Sequence, residues 1–160
     1  MNHGIFLSLG TNLGDRKANL FYARRALERL GRIISLSPTY QTDAWGKTDQ
    51  PAFYNQVVEM SSGLDAHEFL SQTLAIEHEL GRVREEKWGP RIIDIDMLFY
   101  GDRIVGDQNL VLPHPGIATR KFVLIPLADI APEFIHPILQ KTVVTLLREC
   151  DDDLTVEQTK

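Results

Sequence analysis

The sequence predicts an α+β fold: a ferredoxin-like β-α-β-β-α-β core with a C-terminal extension of short strands and helices. Apolar residues recur at helical spacing over 15–30 and 66–80, whereas strand-like runs fall over 4–9, 32–40, 53–60 and 92–100. Glycine and proline punctuate the joints between them. No repeat, low-complexity tract or linker divides the 160 residues, so 1–160 reads as a single domain.

Residues 4–9 (Gly-Ile-Phe-Leu-Ser-Leu) read as a buried first strand ending at Gly10. Asn12, Gly14 and Asp15 supply turn and helix-start chemistry. From Asp15 to Leu30 the apolar stripe is Leu20, Ala23, Leu27 and Leu30, with Gly31 placed to end the helix. The next two strands, 32–40 and 53–60, flank a loop from Gln41 to Ala52. Phe69, Leu70, Leu74, Ile76 and Leu80 mark the second helix, and Gly81 its end. Pro113, Pro115, Pro126, Pro132 and Pro137 crowd the last third, so only short elements are expected there, with a closing helix near 142–149.

Composition narrows the function. A formal charge of -5 argues against general nucleic-acid binding, which draws its affinity from phosphate neutralisation. No apolar run approaches a membrane span, and the start lacks the basic segment and cleavage site of a signal peptide. The lone Cys150 excludes an internal disulfide framework and suits a reducing compartment, so cytoplasm is expected. Yet Arg82, Arg84, Lys87 and Arg91 form a basic cluster in an acidic chain, as a small anionic ligand requires.

The sharpest motif is Lys87-Trp88-Gly89-Pro90-Arg91-Ile92-Ile93-Asp94-Ile95-Asp96-Met97-Leu98. In a strand, Asp94 and Asp96 share one face with α-carbons roughly 6–7 Å apart. Ile93, Ile95, Met97 and Phe99 are expected to point the other way, into a core. Two carboxylates so close repel unless a cation sits between them, and hard oxygen donors at this spacing suit Mg²⁺ beside substrate phosphates. Two such ions about 3.5–4 Å apart would clamp both sides of a phosphoryl transfer. An edge strand with alternating solvated aspartates is the plain alternative. Arg82, Arg84 and Arg91 nearby favour the first reading, because guanidinium groups match phosphate oxygens bidentately. The same arginines could instead be solvated, or paired with Glu85 and Glu86.

Other signals are weaker. Gly10-Thr11-Asn12-Leu13-Gly14-Asp15-Arg16-Lys17 lacks the Gly-Lys-Ser/Thr of a phosphate loop, and no GxGxxG is present. His3, His67, His78, His114 and His136 show no zinc-ligand spacing, and His67 and His78 read as surface helix residues. His114 differs, held between Pro113 and Pro115 and followed by Arg120 and Phe122. Cys150 reads as inert packing.

Residues 87–98 resemble the signature of the 6-hydroxymethyl-7,8-dihydropterin pyrophosphokinases of folate synthesis: a basic residue, any residue, Gly-Pro-Arg, two residues, then Asp-apolar-Asp and two apolar positions. Further likeness lies in Leu9-Gly10-Thr11-Asn12-Leu13-Gly14, Asp49-Gln50-Pro51 with Asn55, and Gly81-Arg82-Val83-Arg84. It continues in Pro113-His114, Arg120 with Phe122, Pro126-Leu127 and Ile130-Ala131-Pro132.

The resemblance implies an enzyme of ferredoxin-like fold that moves pyrophosphate from ATP to the hydroxymethyl pterin, giving AMP, with two Mg²⁺ ions. By the same resemblance, Asp94 and Asp96 ligate the metals, Asp94 lying also near the pterin hydroxymethyl, and Arg82 and Arg91 act in catalysis. Arg84, Trp88, Arg91, His114 and Arg120 line the nucleotide; Phe53 and Phe122 sandwich the pterin, Thr42 and Asn55 bond its edge, and Trp45 lies in the pterin loop.

Four departures stand out. Thr42-Asp43-Ala44-Trp45-Gly46 replaces a proline-rich loop, Phe53 a frequent tyrosine and Leu74 a nucleotide-contacting glutamine, and the Arg84–Trp88 loop is one residue shorter. The implied partners are the small-molecule substrates, with neither nucleic acid nor membrane, and the resemblance leaves association with neighbouring folate-pathway enzymes open. An RNA-binding sheet would need an aromatic and basic strand that the chain lacks. A sensing module would have no use for the Asp-Ile-Asp pair beside three arginines.

Overall fold

The computed structural model describes residues 2–43, 51–81 and 92–159. The core runs β1 (Asn2–Thr11), α1 (Arg16–Leu27), β2 (Gly31–Leu36), β3 (Tyr40–Thr42), β4 (Phe53–Ser62), α2 (Ala66–Glu79) and β5 (Asp94–Tyr100). There follow a small hairpin, β6 (Val105–Gly106) and β7 (Val111–Leu112), then α3 (Lys121–Ile130), α4 (Val143–Glu149) and β8 (Val156–Gln158). The main sheet is ordered β5-β1-β4-β3-β8, with β2 also on β4, and its paired strands are antiparallel. The expected ferredoxin-like α+β core is present.

Each long helix begins where a side-chain oxygen can take a first-turn amide. Asp15 accepts from Ala18 N at 3.1 Å and Asp65 from Glu68 N at 2.9 Å. On one sheet face, Leu7, Leu9, Val58, Met60, Ile95 and Met97 meet Leu20, Ala23 and Leu27 of α1 and Phe69 and Ile76 of α2. On the other, Phe6, Val57, Leu98 and Phe99 meet Val123, Leu124 and Leu127 of α3 and Val143 and Leu146 of α4. Burial on both faces explains why β1 carries an unbroken apolar run from Ile5 to Leu7.

Several expectations need correction. The strand expected over 32–40 is two strands, because Ser37 and Pro38 break it. Ser37 Oγ accepts the Val57 amide at 2.9 Å, taking a ladder position with a side chain, and Pro38 has no amide to continue. The first helix stops at Leu27 rather than Leu30. Gly31 serves the sheet instead: a β-carbon there would stand 2.0 Å from the Ser61 carbonyl oxygen. Phe99 does not share the face of Ile93, Ile95 and Met97, because the ladder shifts between Phe6↔Phe99 and Leu7↔Met97. The extra residue, Leu98, is a bulge that turns Phe99 toward α3 and α4. The proline-rich third also holds a ten-residue helix, α3, with Pro126 inside it. Burial of Val123, Leu124, Pro126 and Leu127 outweighs the one amide that proline removes.

Candidate functional site

Cross-strand register aligns the chemistry. Asp94 pairs with Gly10, Gly10 with Asn55, and Asn55 with Tyr40; one step along, Asp96 pairs with Ser8 and Ser8 with Val57. Directly paired residues share a face, so Asp94, Asp96, Gly10, Ser8, Asn55, Phe53 and Thr42 all lie on the face that α3 and α4 cover. Gly10 and Ser8 are the small residues of this set. A β-carbon on Gly10 would lie 3.3 Å from Asn55 Oδ1 and 3.7 Å from Phe53 Cδ1. Asn55 is buried and donates from Nδ2 to Thr42 Oγ1 at 2.6 Å, which fixes the orientation of its amide.

The turn after β1 secures the segment entering β4. Asn12 Nδ2 donates to the Pro51 carbonyl at 3.1 Å, and Arg16 Nη1 to the Ala52 carbonyl at 2.7 Å. The Arg16 guanidinium also sits 4.0 Å from the centre of the Tyr54 ring. The Gly10–Arg16 run that fails as a phosphate loop thus works as a brace just ahead of Phe53.

At the outer edge of β5 lies a cavity of about 420 Å³ whose lining includes Asp94, Asp96, Glu77, Leu74, Asn109 and His114. Glu77 is buried, and its Oε2 accepts the Ile95 amide at 2.7 Å. It therefore clamps the strand at the residue between the two aspartates. Sequence reasoning missed Glu77, although its place one residue after Ile76 and four after Thr73 put it on the buried stripe of α2.

His114 is tied to β5 by its amide, which donates to the Leu98 carbonyl at 2.9 Å. Its Nδ1 accepts from Gly116 N at 3.0 Å, so the neutral ring carries its proton on Nε2. Burial, reinforced by the Arg120 charge and opposed by Asp94, holds its pKa below the usual histidine value. Arg120 lies across Gly116, where a β-carbon would be 2.8 Å from the guanidinium carbon, and 6.0 Å from the centre of the Phe122 ring. Phe122 is half-buried in the first turn of α3.

Asp94, Asp96 and His114 thus meet at one cavity, Thr42, Phe53 and Asn55 on the adjoining sheet face, and Arg120 and Phe122 at the start of α3. The positions expected for Trp45, Arg82, Arg84, Trp88 and Arg91 lie outside the described residues. His67 and His78 are exposed on α2, as expected.

The 7,8-dihydro-6-hydroxymethylpterin-pyrophosphokinase family matches residues 6–132. The chain belongs to this family.

A 2-amino-4-hydroxy-6-hydroxymethyldihydropteridine pyrophosphokinase of Methylorubrum extorquens is 46% identical over 135 residues, 81% of this chain and 84% of the relative. The Folic acid synthesis protein fol1 of Pneumocystis carinii is 36% identical over 152 residues, 94% of this chain but 20% of its own length. Among solved structures, Plasmodium falciparum HPPK-DHPS, wild type with pteroate, aligns with a TM-score of 0.73 at 19% identity. That alignment covers 93% of this chain and 42% of the other. This pyrophosphokinase is a transferase of folate biosynthesis that uses ATP as co-substrate. Among the described residues no helix is long and apolar enough to cross a membrane.

The family implies Mg²⁺, and the donor set fits it. Asp94 and Asp96 are hard oxygen donors on one strand face, and both line the same cavity. Mg²⁺ is commonly held by one or two carboxylates, with phosphate and water oxygens completing its shell.

Proposed function

We propose that this pyrophosphokinase joins its two substrates at Asp94. The observation that carries the reading is that Asp94 lines the cavity at the outer edge of β5 and is also paired through Gly10 to Asn55 on the sheet face. ATP occupies the cavity side, its phosphates reaching the aspartates, and 6-hydroxymethyl-7,8-dihydropterin lies on the Gly10–Asn55 side with its hydroxymethyl group turned toward Asp94.

In this reading, Phe53 and Phe122 stack on the pterin, Asn55 and Thr42 bond its polar edge, and Trp45 is a further pterin-binding residue. His114 donates from Nε2, and Arg84, Trp88, Arg91 and Arg120 hold the rest of the nucleotide. Asp94 and Asp96 hold two Mg²⁺ ions, which when bound offset charge on the phosphate oxygens. The hydroxymethyl oxygen bonds to the β-phosphorus of ATP. The bond from that phosphorus to the α-bridging oxygen breaks, AMP leaves with the electron pair, and the hydroxyl proton passes to water. Arg82 and Arg91 meet the charge that develops in transfer.

The whole chain, 1–160, serves as one pyrophosphokinase domain in the cytoplasm, consistent with a single free Cys150. Association with other folate-synthesis enzymes is part of the same proposal, supported by the names and greater lengths of the Pneumocystis and Plasmodium proteins. The deciding assay follows nucleotide products after the hydroxymethyl pterin is added to enzyme, Mg²⁺ and ATP. AMP formed one-for-one with pterin diphosphate is expected, and ADP would overturn the proposal.

A further inference from the structure

The end of the chain lies beyond the segment that the family matches, 6–132, yet it reaches two separate parts of the proposed pterin site. Asp152 Oδ2 accepts the Lys121 amide at 3.1 Å across 31 positions, while its Oδ1 accepts the Leu154 amide at 3.1 Å. Lys121 opens α3, and Phe122 is the next residue. First-turn amides have no partner within their own helix, and the flanking Arg120 makes no side-chain cap bond to α3. A carboxylate from a distant segment takes that role, and its charge suits the positive end of the helix.

The second anchor is β8. It pairs with β3 so that Val156 stands opposite Thr42, and Thr159 donates from N and Oγ1 to the Thr39 carbonyl at 2.9 and 3.1 Å. Thr42 in turn accepts from Asn55. A short stretch from Asp152 to Thr159 therefore ties the start of α3, where Phe122 sits, to the strand that orients Asn55.

We infer that Asp152 is a positioning residue for pterin binding, setting Phe122 at a fixed separation from the Thr42–Asn55 pair. The inference rests on the proposed pterin role of Phe122, Thr42 and Asn55. Because Asp152 bonds backbone amides and has no part in the proposed chemistry, its effect falls on ground-state affinity for the pterin rather than on the chemical step.

The test uses full-length Asp152→Ala and Asp152→Asn, with Phe122→Ala as reference and the exposed neighbour Asp153→Ala as control. Pterin dissociation constants are measured with a non-hydrolysable ATP analogue present, alongside analogue affinity, kcat, pterin KM and melting temperature. Asp152→Ala is expected to weaken pterin binding and raise pterin KM by about fivefold, the scale of a lost helix cap, with kcat and analogue affinity within about twofold. Asp152→Asn keeps one acceptor for two amides and should fall between Asp152→Ala and the parent; if Asp152→Ala does not fold, it decides the matter by the same comparison.

A lowered melting temperature with unchanged pterin affinity would make Asp152 a structural cap only and overturn the inference. If Phe122→Ala weakens pterin binding and Asp152→Ala does not, the inference fails and the pterin site stands. Unchanged pterin affinity in Phe122→Ala would remove the pterin site itself.

Discussion

Gly10 and Asn55 face each other across β1 and β4, and a β-carbon on Gly10 would stand 3.3 Å from Asn55 Oδ1. That separation is tighter than an ordinary carbon–oxygen contact, and the amide is already held by Thr42 at 2.6 Å, so it has little room to yield. Gly10→Ala is therefore expected to weaken pterin binding by about tenfold, by displacing Asn55 and crowding Phe53. Stability should fall slightly, because straining the buried Asn55–Thr42 bond costs more than alanine gains by restricting the unfolded chain at this glycine of ordinary φ. Titration calorimetry with a melting curve separates the two effects.

Asp96 tests the metal assignment. Asp96→Ala should lower turnover by at least about 100-fold, the scale of lost charge stabilisation, with the melting temperature in chelator close to that of the parent. Single-turnover rates across a Mg²⁺ titration check this. Rates that recover fully at high Mg²⁺ would reduce Asp96 to a contributor to metal affinity.

Arg82 and Arg91 are expected to act on the transferring group rather than on resting ATP. Arg82→Ala and Arg91→Ala should bind ATP within about tenfold of normal, a ~1.4 kcal/mol allowance. They should turn over at least about 100-fold more slowly. Nucleotide dissociation constants and single-turnover rates on the same proteins decide it. Collapsed affinity with an intact chemical step would make these residues nucleotide holders.

His114 links the site to pH. Its pKa is depressed from the ordinary 6.5, chiefly by burial and then by Arg120, with Asp94 acting against. The unfolded chain therefore takes up this proton at higher pH than the folded one. The stability His114 contributes is complete above 6.5 and is lost as pH falls from 6.5 through the folded value. His136, also lowered by burial, adds a slope of the same sign. His114→Gln should flatten the acid side of the stability profile, and Arg120→Gln should move the His114 titration back toward 6.5, as read by NMR of the ring protons.

Much of the core was legible because its signals are local. Asp15 and Asp65 cap the helices they precede, and alternation along β5 places Asp94 and Asp96 on one face whatever strand lies beside it. The Gly-Pro-Arg and Asp-Ile-Asp run carried the family resemblance on the same terms.

What the sequence determined by itself was the β-α-β-β-α-β order of the core and the chemical type of the site, since caps, periodicity and motif spacing act within a few residues. Tertiary structure alone decided which residues stand opposite Asp94, because cross-strand register joins β1, β4 and β5 across tens of residues. It also decided the break at Ser37 and Pro38, the bulge at Leu98, the hold of Glu77 on the Ile95 amide and the reach of Asp152 to Lys121. Each of these matches a donor or a surface on one segment to a partner far away in the chain, and no local pattern encodes such a partner.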